Sequence, residues 1–466
     1  MKLLTLLLLI LLMPAAANSD TKEQPNILFI LSDDAGYADF GFHGSTEIPT
    51  PNLDQLASQG MRFTQAYVSA AVCGPSRAGI MTGKYQQRFG FEENNVPGYM
   101  SPNGTTGDDM GLPLEQKTMA DYLKLQGYRT ALFGKWHQGN ADRFHPLKRG
   151  FDEFSGFRGG ARSFWPFNQD NPNERLEDFH EIGFAQYAEP KQYYTDELAS
   201  QTIDFIKRHK QQPWFAFVSL TAPHAPMHAT KEDLAQFPEL TGVRKIYAAM
   251  MLNMDRNIGR ILKELDKLNL AENTLVVFTN DNGGPTDHNA SNNYPLSGTK
   301  ANHLEGGIRV PMLIRWQNVT QPGVRFEYPV SLLDLLPTFN AAANGDNIDG
   351  LDGVSLKPYL TGNNQQRPHQ TLYWKKENRG AIRYLDWKLL RFPDRPAELY
   401  DLHQDPSEIN NLASIHPEKV KTLYKKLFNW ELTLERSAWQ LKRVYEGHAM
   451  KRMDSYRAHK PNKSKQ

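Results

Sequence analysis

Two pairs of adjacent residues with oxygen-bearing side chains are candidates for holding a divalent cation. The first pair is Asp33 and Asp34, and the second is Asp281 and Asn282. Either pair alone is a weak signal, because Asp and Asn are ordinary turn residues. Together they match the hard oxygen ligands that Ca²⁺ and Mg²⁺ prefer, and the sequence offers no Cys/His set of the kind that binds zinc. Since such a cluster of carboxylates would repel itself without a cation, we predict a metal site here.

A second set of residues is cationic or titratable near neutral pH. It comprises Arg77, Lys135, His137, His224 and Lys300. Separate surface charges are the usual fate of Lys and Arg. However, three of these residues follow predicted strands, and Lys300 lies in the glycine-rich segment 297–307. A divalent cation together with these groups would form an anion-binding pocket, in which His is the residue type suited to general acid catalysis.

Cys73 is the only cysteine of the chain, so no internal disulfide can form. A lone cysteine is most simply interpreted as a small buried apolar residue. The alternative is a residue kept for its chemistry, and in an exported protein a lone thiol requires such an explanation.

The elements that must position these residues alternate between strand and helix. Apolar runs predict strands over 26–31, 130–133, 214–220 and 274–279, and helical patterns cover 119–126 and 247–268. This alternation predicts an α/β fold with a large, mostly parallel or mixed sheet flanked by helices. In such sheets ligands bind outside the carboxyl ends of the strands, where the polar residues above are found.

The pattern changes after about residue 365. Short strands are predicted over 370–374, 380–384, 387–391 and 398–402 without intervening helices, followed by a helix over 417–434. We therefore predict a catalytic domain over 24–365 and a smaller α+β subdomain with an antiparallel sheet over 366–450. The basic segment 451–466 is predicted to be a flexible tail, with a polyanion-binding arm as the alternative.

The chain begins with Lys2, an apolar run over 3–13 and small residues near Ala17. This pattern predicts a signal peptide over 1–17 and export to the periplasm or the medium, because the run is short for a membrane span. The formal net charge of the 466 residues is only +1, which gives no electrostatic case for binding nucleic acid.

The segment around Cys73 is similar to a known family motif. The sulfatase family carries a modification motif that resembles Cys73-Gly74-Pro75-Ser76-Arg77. Further segments resemble the family in the expected order: Asp33-Asp34, Gly127 through His137, Pro223-His224-Ala225-Pro226, Asp281-Asn282, Gly298-Thr299-Lys300 through Pro311, and Leu399-Tyr400-Asp401-Leu402. Phe133 is bulkier than the small aliphatic residue expected there, which affects packing only. The resemblance spans about residues 25 to 415.

This resemblance implies a formylglycine-dependent sulfatase of the alkaline phosphatase superfamily. Cys73 would be converted to formylglycine (3-oxoalanine) by a formylglycine-generating or an anaerobic sulfatase-maturating enzyme. The four metal-site residues would hold one Ca²⁺. Arg77 would stabilise the formylglycine, while Lys135 and Lys300 would stabilise the sulfate charge. His224 would protonate the leaving oxygen, and His137 would contact the second hydroxyl of the hydrated aldehyde.

The substrate is predicted less directly. The segment 156–167 interleaves aromatic residues with Arg158 and Arg162. These residues could bind a sulfated sugar, or the aromatics could simply pack on the sheet. We favour a sulfated polysaccharide of the carrageenan type, followed by a glycosaminoglycan. Two other functions stay open on the sequence: a phosphonate or phosphodiester hydrolase, and a glycan-binding protein in which Cys73 remains a thiol.

Overall fold

The computed structural model describes residues 24–101, 103–167 and 178–457. The predicted signal peptide over 1–17 lies outside these residues, as does the segment 458–466. Among the described helices, none is both long and apolar enough to cross a membrane.

The described residues form two larger sheets and one short ribbon. The strands are β1 (Asn26–Ser32), β2 (Met61–Tyr67), β3 (Asn103–Gly104), β4 (Arg129–Lys135), β5 (Glu153–Phe157), β6 (Glu181–Ile182), β7 (Trp214–Ser219), β8 (Thr274–Asn280), β9 (Arg309–Trp316), β10 (Val324–Phe326), β11 (Val330–Ser331), β12 (Thr371–Lys376), β13 (Arg379–Tyr384), β14 (Trp387–Arg391), β15 (Glu398–Asp401) and β16 (Trp439–Gln440).

Helices surround these sheets. They are α1 (Pro51–Gln59), α2 (Cys73–Thr82), α3 (Met119–Leu125), α4 (Tyr194–His209), α5 (Lys231–Leu234), α6 (Gly242–Lys267), α7 (Thr286–Asn289), α8 (Glu305–Ile308), α9 (Leu335–Ala342), α10 (Lys357–Leu360), α11 (Pro417–Glu431) and α12 (Arg443–Ser455).

The central sheet has ten strands in the order β10-β2-β9-β8-β1-β7-β4-β5-β6, with β11 also paired to β2. Strands β8, β1, β7, β4 and β5 run parallel, whereas β9 and β6 join this group as antiparallel neighbours. The predicted α/β class with a mostly parallel or mixed sheet is therefore confirmed. The four predicted strands coincide with β1, β4, β7 and β8.

Strand β1 is apolar throughout because both faces of the sheet are covered. Alternate side chains point to opposite faces of a strand. Ile27, Phe29 and Leu31 accordingly pack in one apolar core, while Leu28 and Ile30 pack in the other, against residues of α4 and α6. All of these residues are fully buried, as expected for a strand between two helical layers.

The second sheet is the predicted C-terminal antiparallel sheet, with the order β12-β13-β14-β15, and α11 packs on it. Charged side chains are buried where it meets the central domain: Lys388 Nζ lies 2.8 Å from a carboxylate oxygen of both Glu305 and Glu408. Tyr67 donates to Glu305 over 2.6 Å, and Arg383 contacts the Tyr67 hydroxyl. We call these five residues the subdomain junction.

The segment predicted to be a flexible tail is structured as far as residue 457. Helix α12 covers residues 443–455, and its Met450 and Met453 are buried in the apolar core. Asp454 and Glu446 fix the helix through Arg395 and Asn378. The composition of the segment is basic, but these spaced apolar and acidic residues give the helix a packing face.

Candidate active site

The carboxyl ends of four parallel strands converge on one edge of the central sheet. Asp33 and Asp34 follow β1, Lys135 is the last residue of β4, His224 lies shortly after β7, and Asp281 and Asn282 follow β8. Parallel neighbours in register bring these ends together, as the sequence predicts. All of them are buried except His224, whose side chain is 18% exposed.

Helix α2 brings Cys73 and Arg77 to the same edge. Cys73 is the first residue of this helix, whose ten residues are all buried. Arg77 is four residues later, so both side chains lie on one face. The amino end of a helix favours negative charge, which suits a site for an anion or an anionic nucleophile.

Two lysines form ion pairs with the carboxylates, and one of them also contacts the thiol. Lys135 Nζ lies 2.5 Å from Asp33 Oδ2, and Lys300 Nζ lies 2.7 Å from Asp34 Oδ1. The same Lys300 Nζ is 3.0 Å from Cys73 Sγ, which lies 3.8 Å from Asp33 Oδ1. Charged groups therefore surround the sulfur atom closely.

Arg77 completes this arrangement from the other side. Its Nε donates to Asp281 Oδ2 over 2.9 Å, and its Nη1 donates to the Ser219 hydroxyl over 2.5 Å. Its Nη2 is 3.5 Å from Asp33 Oδ2. We call Asp33, Asp34, Cys73, Arg77, Lys135, Asp281, Asn282 and Lys300 the Cys73 cluster.

The structure brings part of the predicted metal set together: the Asp33 and Asp34 carboxylates share a group of close ligand atoms with Cys73 and His224, whereas Asp281 lies outside that group and pairs with Arg77. Ligand atoms of Asp33, Asp34, Cys73 and His224 all lie within 4.8 Å of one another. The Oδ1 atom of Asn282 is buried and accepts no hydrogen bond from any described residue. A buried amide oxygen of this kind requires a partner, and a cation bound by the neighbouring carboxylates would supply one.

The backbone supports this crowding. Asp34 has a positive φ of 67°, a left-handed conformation that non-glycine residues adopt at strained, often functional positions. A Cβ atom on Gly283 would lie 1.8 Å from the carbonyl oxygen of Gly306. Only glycine therefore lets the segment after Asn282 approach the segment after Lys300.

The electrostatics of the cluster differ strongly from residue to residue. Burial raises the pKa of the Cys73 thiol to about 12, although Lys135 and Lys300 oppose this shift. Burial would also raise the pKa of Asp33, but Lys135 and other cations lower it below its ordinary value. Burial and the Asp33 carboxylate raise the pKa of Asp281 to about 7. The unmodified thiol is therefore protonated at neutral pH, whereas Asp33 is ionised.

The two histidines face the site differently. His224 Nδ1 lies 2.5 Å from the Ala225 carbonyl oxygen, which can only accept, so Nδ1 carries a hydrogen. Its Nε2 lies 3.4 Å from Asp34 Oδ2 and is the atom that gains or loses a proton toward the site. His137 is buried, and its Nδ1 bonds to no described residue. Burial lowers the pKa of His137 well below its ordinary value, so its ring is neutral.

A cavity of about 270 Å³ opens beside the cluster. Its lining includes Asp34, His224 and Lys300 on the side of the cluster, together with His288 and Arg452. A small molecule can therefore reach the side of the cluster that carries Lys300 and His224.

The segment 156–167 does not offer free arginines. Arg158 forms a two-pronged pair with Glu181, with distances of 2.8 Å, and Arg162 Nη2 lies 2.6 Å from Glu189. The aromatic residues Phe157 and Phe164 are buried. The packing interpretation is thus correct for these residues, because acidic partners outside the segment neutralise both arginines.

Several residues of the site were not predicted from the sequence. Ser219 holds Arg77, and Asn94 Oδ1 accepts the N–H of Gly74 over 2.8 Å beside Cys73. Arg452 was assigned to the tail. Ser219 is the last residue of β7, so its position at a strand end was the one available signal; Asn94 and Arg452 follow no such element.

Comparison with known proteins identifies the relatives of this chain. The Sulfatase family model matches residues 25–345, and the model of the N-sulphoglucosamine sulphohydrolase C-terminal region matches residues 300–437. The N-acetylgalactosamine-6-sulfatase of Homo sapiens is 34% identical over 367 residues, which cover 75% of this chain and 68% of that protein. Arylsulfatase A of Bos taurus is 32% identical over 461 residues, with 88% of each chain covered. The crystal structure of Ps i-CgsB in complex with k-i-k-neocarrahexaose has a TM-score of 0.84 and 34% sequence identity, over 93% of this chain and 98% of that chain.

Proposed function

The chain belongs to the sulfatase family and is a sulfuric ester hydrolase, and from this premise we propose that it desulfates polysaccharides or oligosaccharides with a formylglycine made from Cys73 and one bound Ca²⁺. The observation that carries the proposal is the position of Cys73. Its sulfur lies at the start of α2, 3.0 Å from Lys300 Nζ and within 4.8 Å of ligand atoms of Asp33, Asp34 and His224.

The charge of the site supports the binding of a sulfate ester. The carboxylates of Asp33, Asp34 and Asp281 are matched by the cations Arg77, Lys135 and Lys300. Ca²⁺ held by the three carboxylates and Asn282 would supply positive charge beside the nucleophile and a sulfate oxygen. The site as a whole would then be positive, which suits an anionic substrate.

The state of the thiol supports the modification. A buried cysteine whose pKa is raised to about 12 holds little thiolate at neutral pH and is a poor nucleophile. A hydrated formylglycine would supply two hydroxyls on one carbon, one to attack sulfur and one that lets the aldehyde re-form as sulfate leaves.

The chain's own residues would then divide the remaining work. Lys135 and Lys300 stabilise the charge on the sulfate oxygens, and Arg77 holds the modified side chain. Burial lowers the pKa of His224, so the ring is neutral at rest; once its Nε2 is protonated, it is placed to give that proton to the leaving oxygen, since Nδ1 is tied to a carbonyl. His137 is the group available to the second hydroxyl.

Mass spectrometry of the peptide that contains residue 73 tests the modification. The protein should be made in a host with a formylglycine-generating or anaerobic maturating enzyme, and in the same host without it. We expect an aldehyde or its hydrate in the first preparation only, with turnover in proportion to its content. An intact thiol in a fully active preparation would contradict the proposal.

Chelation tests the metal. Exhaustive treatment with a calcium chelator should abolish hydrolysis of nitrophenyl sulfate, and added Ca²⁺ should restore it. The reason is that removal of the cation takes away the positive charge that would bind the anionic substrate. Circular dichroism of the chelated protein provides the control for unfolding. Undiminished turnover after complete metal removal would show that Ca²⁺ is not required.

The choice of glycan rests on a solved relative that holds a carrageenan fragment. The crystal structure of Ps i-CgsB contains a neocarrahexaose, and this chain resembles it over nearly its whole length. We therefore propose carrageenan-type oligosaccharides first and glycosaminoglycans second. Sulfate release from a panel of both, with the phosphate ester of one matched alcohol as control, tests this order. Preference for the phosphate ester would favour the phosphohydrolase alternative.

We also propose that the protein is exported to the periplasm or the medium. The pattern of residues 1–17 is the support for this proposal. N-terminal sequencing of protein recovered outside the cytoplasm should begin near residue 18, and recovery of the whole chain with Met1 from the cytoplasm alone would contradict it.

A further inference from the structure

Helix α12 brings an arginine to the active-site cavity. Arg452 lines the cavity together with Lys300 and His224, although it lies beyond the residues 25–345 and 300–437 that the two family models match. Its side chain is 21% exposed. The end of the chain is therefore part of the pocket wall.

The guanidinium of Arg452 is held in a fixed orientation. Its Nε donates to Asp287 Oδ2 over 2.5 Å, its Nη2 donates to Asp287 Oδ1, and its Nη1 donates to the Lys300 carbonyl oxygen over 2.9 Å. These bonds use three of the five N–H donors of the group. Donors remain for a ligand in the cavity.

The backbone beside Lys300 is tied to the same helix end. The Gly298 N–H donates to the Tyr456 carbonyl oxygen over 2.9 Å. The core residues Met450 and Met453 fix the helix on its other side. The Arg452 guanidinium is thus pre-oriented before any substrate binds, which lowers the entropic cost of binding.

The position of the pair relative to the sulfate site indicates what it would contact. Lys300, His224 and Asp34 line the cavity and also lie beside Cys73, where the sulfate group is to be held. The leaving oxygen, which His224 faces, and the sugar attached to it then extend into the remaining space, which Arg452 and His288 line. Arg452 therefore faces the sugar, while Asp287, which does not line the cavity, holds the guanidinium from behind.

The charge of the pair indicates which groups it would recognise. Burial would raise the pKa of Asp287, but the hydrogen bonds from Arg452 lower it below its ordinary value, so the carboxylate is ionised. The two charges compensate each other. A guanidinium that keeps N–H donors while a carboxylate compensates its charge suits sugar hydroxyls better than a second sulfate group, which would require an uncompensated cation.

We propose that Arg452, held in place by Asp287, forms a subsite that binds hydroxyls of the sugar whose sulfate is removed. This inference rests on the proposed function of the site. It contrasts with the segment 156–167, none of whose residues lines the cavity. Arg452 is a specificity residue, Asp287 positions it, and neither takes part in the transfer of sulfate.

The test compares a substrate with a sugar and one without. The substrates are nitrophenyl sulfate and the carrageenan or glycosaminoglycan oligosaccharide that the wild-type enzyme cleaves fastest. For Arg452→Met we expect kcat/KM on the oligosaccharide to fall about tenfold to a hundredfold, mainly through KM, because hydrogen bonds to a charged group are lost. On nitrophenyl sulfate the change should stay within about threefold.

Two further variants separate the subsite from other roles. Asp287→Asn leaves the bond from Arg452 to the Lys300 carbonyl in place, and it should show the same selective loss at smaller size. Arg88→Met removes another two-pronged Arg–Asp pair, the pair with Asp352, which lies outside α12 and does not line the cavity. It should leave both substrates unaffected. Melting temperatures of all variants control for folding.

The possible outcomes are distinguishable. Equal losses on both substrates in Arg452→Met and Asp287→Asn would show that the pair only positions Lys300 and would overturn the subsite. Unchanged kinetics on both substrates would overturn it as well. Absence of hydrolysis of every sulfate ester by the modified wild-type enzyme would overturn the proposed function itself, and the subsite with it.

Discussion

Two groups of charged side chains are buried in this protein, the Cys73 cluster and the subdomain junction, and they differ in their access to a cavity. In the junction, Lys388 lies between Glu305 and Glu408, and Tyr67 donates to Glu305. Each group contains buried atoms that make no hydrogen bond to any described residue: Asn282 Oδ1 and Arg77 Nη2 in the cluster, and Glu408 Oε1 in the junction. The cavity opens on the cluster, whereas none of the residues that line it belongs to the junction.

The difference shows that buried charge does not by itself mark an active site. Both groups carry shifted pKa values and ion pairs, because burial and proximity act on any titratable group. What distinguishes the cluster is that its polar atoms without a hydrogen-bond partner lie in a site on which a cavity opens. Lys300 of the cluster and Glu305 of the junction are only five residues apart in the chain. Substitutions in the two groups can therefore show whether the catalytic role and the structural role are independent.

The largest expected effect is on stability, from Lys388→Met. Removal of the lysine leaves two buried carboxylates without a cation, which should lower the free energy of unfolding by about 3–5 kcal/mol. Chemical denaturation measures this loss. Below the unfolding transition, kcat on nitrophenyl sulfate should stay within about threefold of wild type, and a much larger loss would place the junction in the catalytic machinery.

Lys300→Met should show the opposite pattern. Loss of the cation 3.0 Å from Cys73 Sγ should lower kcat by about a hundredfold to a thousandfold, because a preorganised charge beside the reacting atoms is removed. Steady-state kinetics and denaturation should be measured on the same preparation. A loss of stability as large as that of Lys388→Met, with activity retained, would reverse the comparison.

His224→Gln tests whether this histidine acts as the general acid beside the Cys73 cluster. Without the Nε2 proton donor, hydrolysis should fall about a hundredfold for a sugar sulfate, whose alcohol is a poor leaving group. For nitrophenyl sulfate, whose leaving group needs little protonation, we expect a loss below about tenfold. Equal losses on the two substrates would be inconsistent with His224 as the acid.

The smallest expected effect is the pH dependence that Glu408 gives to stability. Burial raises the pKa of Glu408 from its ordinary value of 4.5 to about 7, so the folded protein binds a proton that the unfolded chain has lost. Stability should therefore fall as pH rises from about 4.5 to 7, by about 1–3 kcal/mol. The pKa of Glu305 is lowered to about 2, although burial opposes this shift, so it contributes nothing in this range.

Glu408→Gln provides the comparison, because an amide does not titrate. The unfolding free energy of the variant, measured between pH 5 and 7.5, should lack the part of the wild-type slope that Glu408 supplies. Parallel slopes for the two proteins would show that Glu408 is ionised in the folded state throughout.

Much of the fold followed from local pattern. The runs at β1, β4, β7 and β8 are apolar over their whole length because both faces of the sheet are covered. The strands of the C-terminal sheet were predicted to within a few residues. Helix α12 was missed because a basic composition concealed Met450 and Met453, whose burial depends on contacts with the rest of the fold.

The sequence by itself determined the core of the site. Residues that directly follow parallel strands meet at one edge, so their proximity is a consequence of strand direction. The sequence pattern predicted no helix over Cys73 and Arg77, and only the structure shows that the two share a face of α2. Which carboxylate pairs with which arginine was decided only by the tertiary structure. Arg162 is neutralised by Glu189, while Arg452 comes from the end of the chain to Asp287 and the cavity. Long-range pairing of this kind depends on how separate elements pack in space, and no spacing along the chain encodes it.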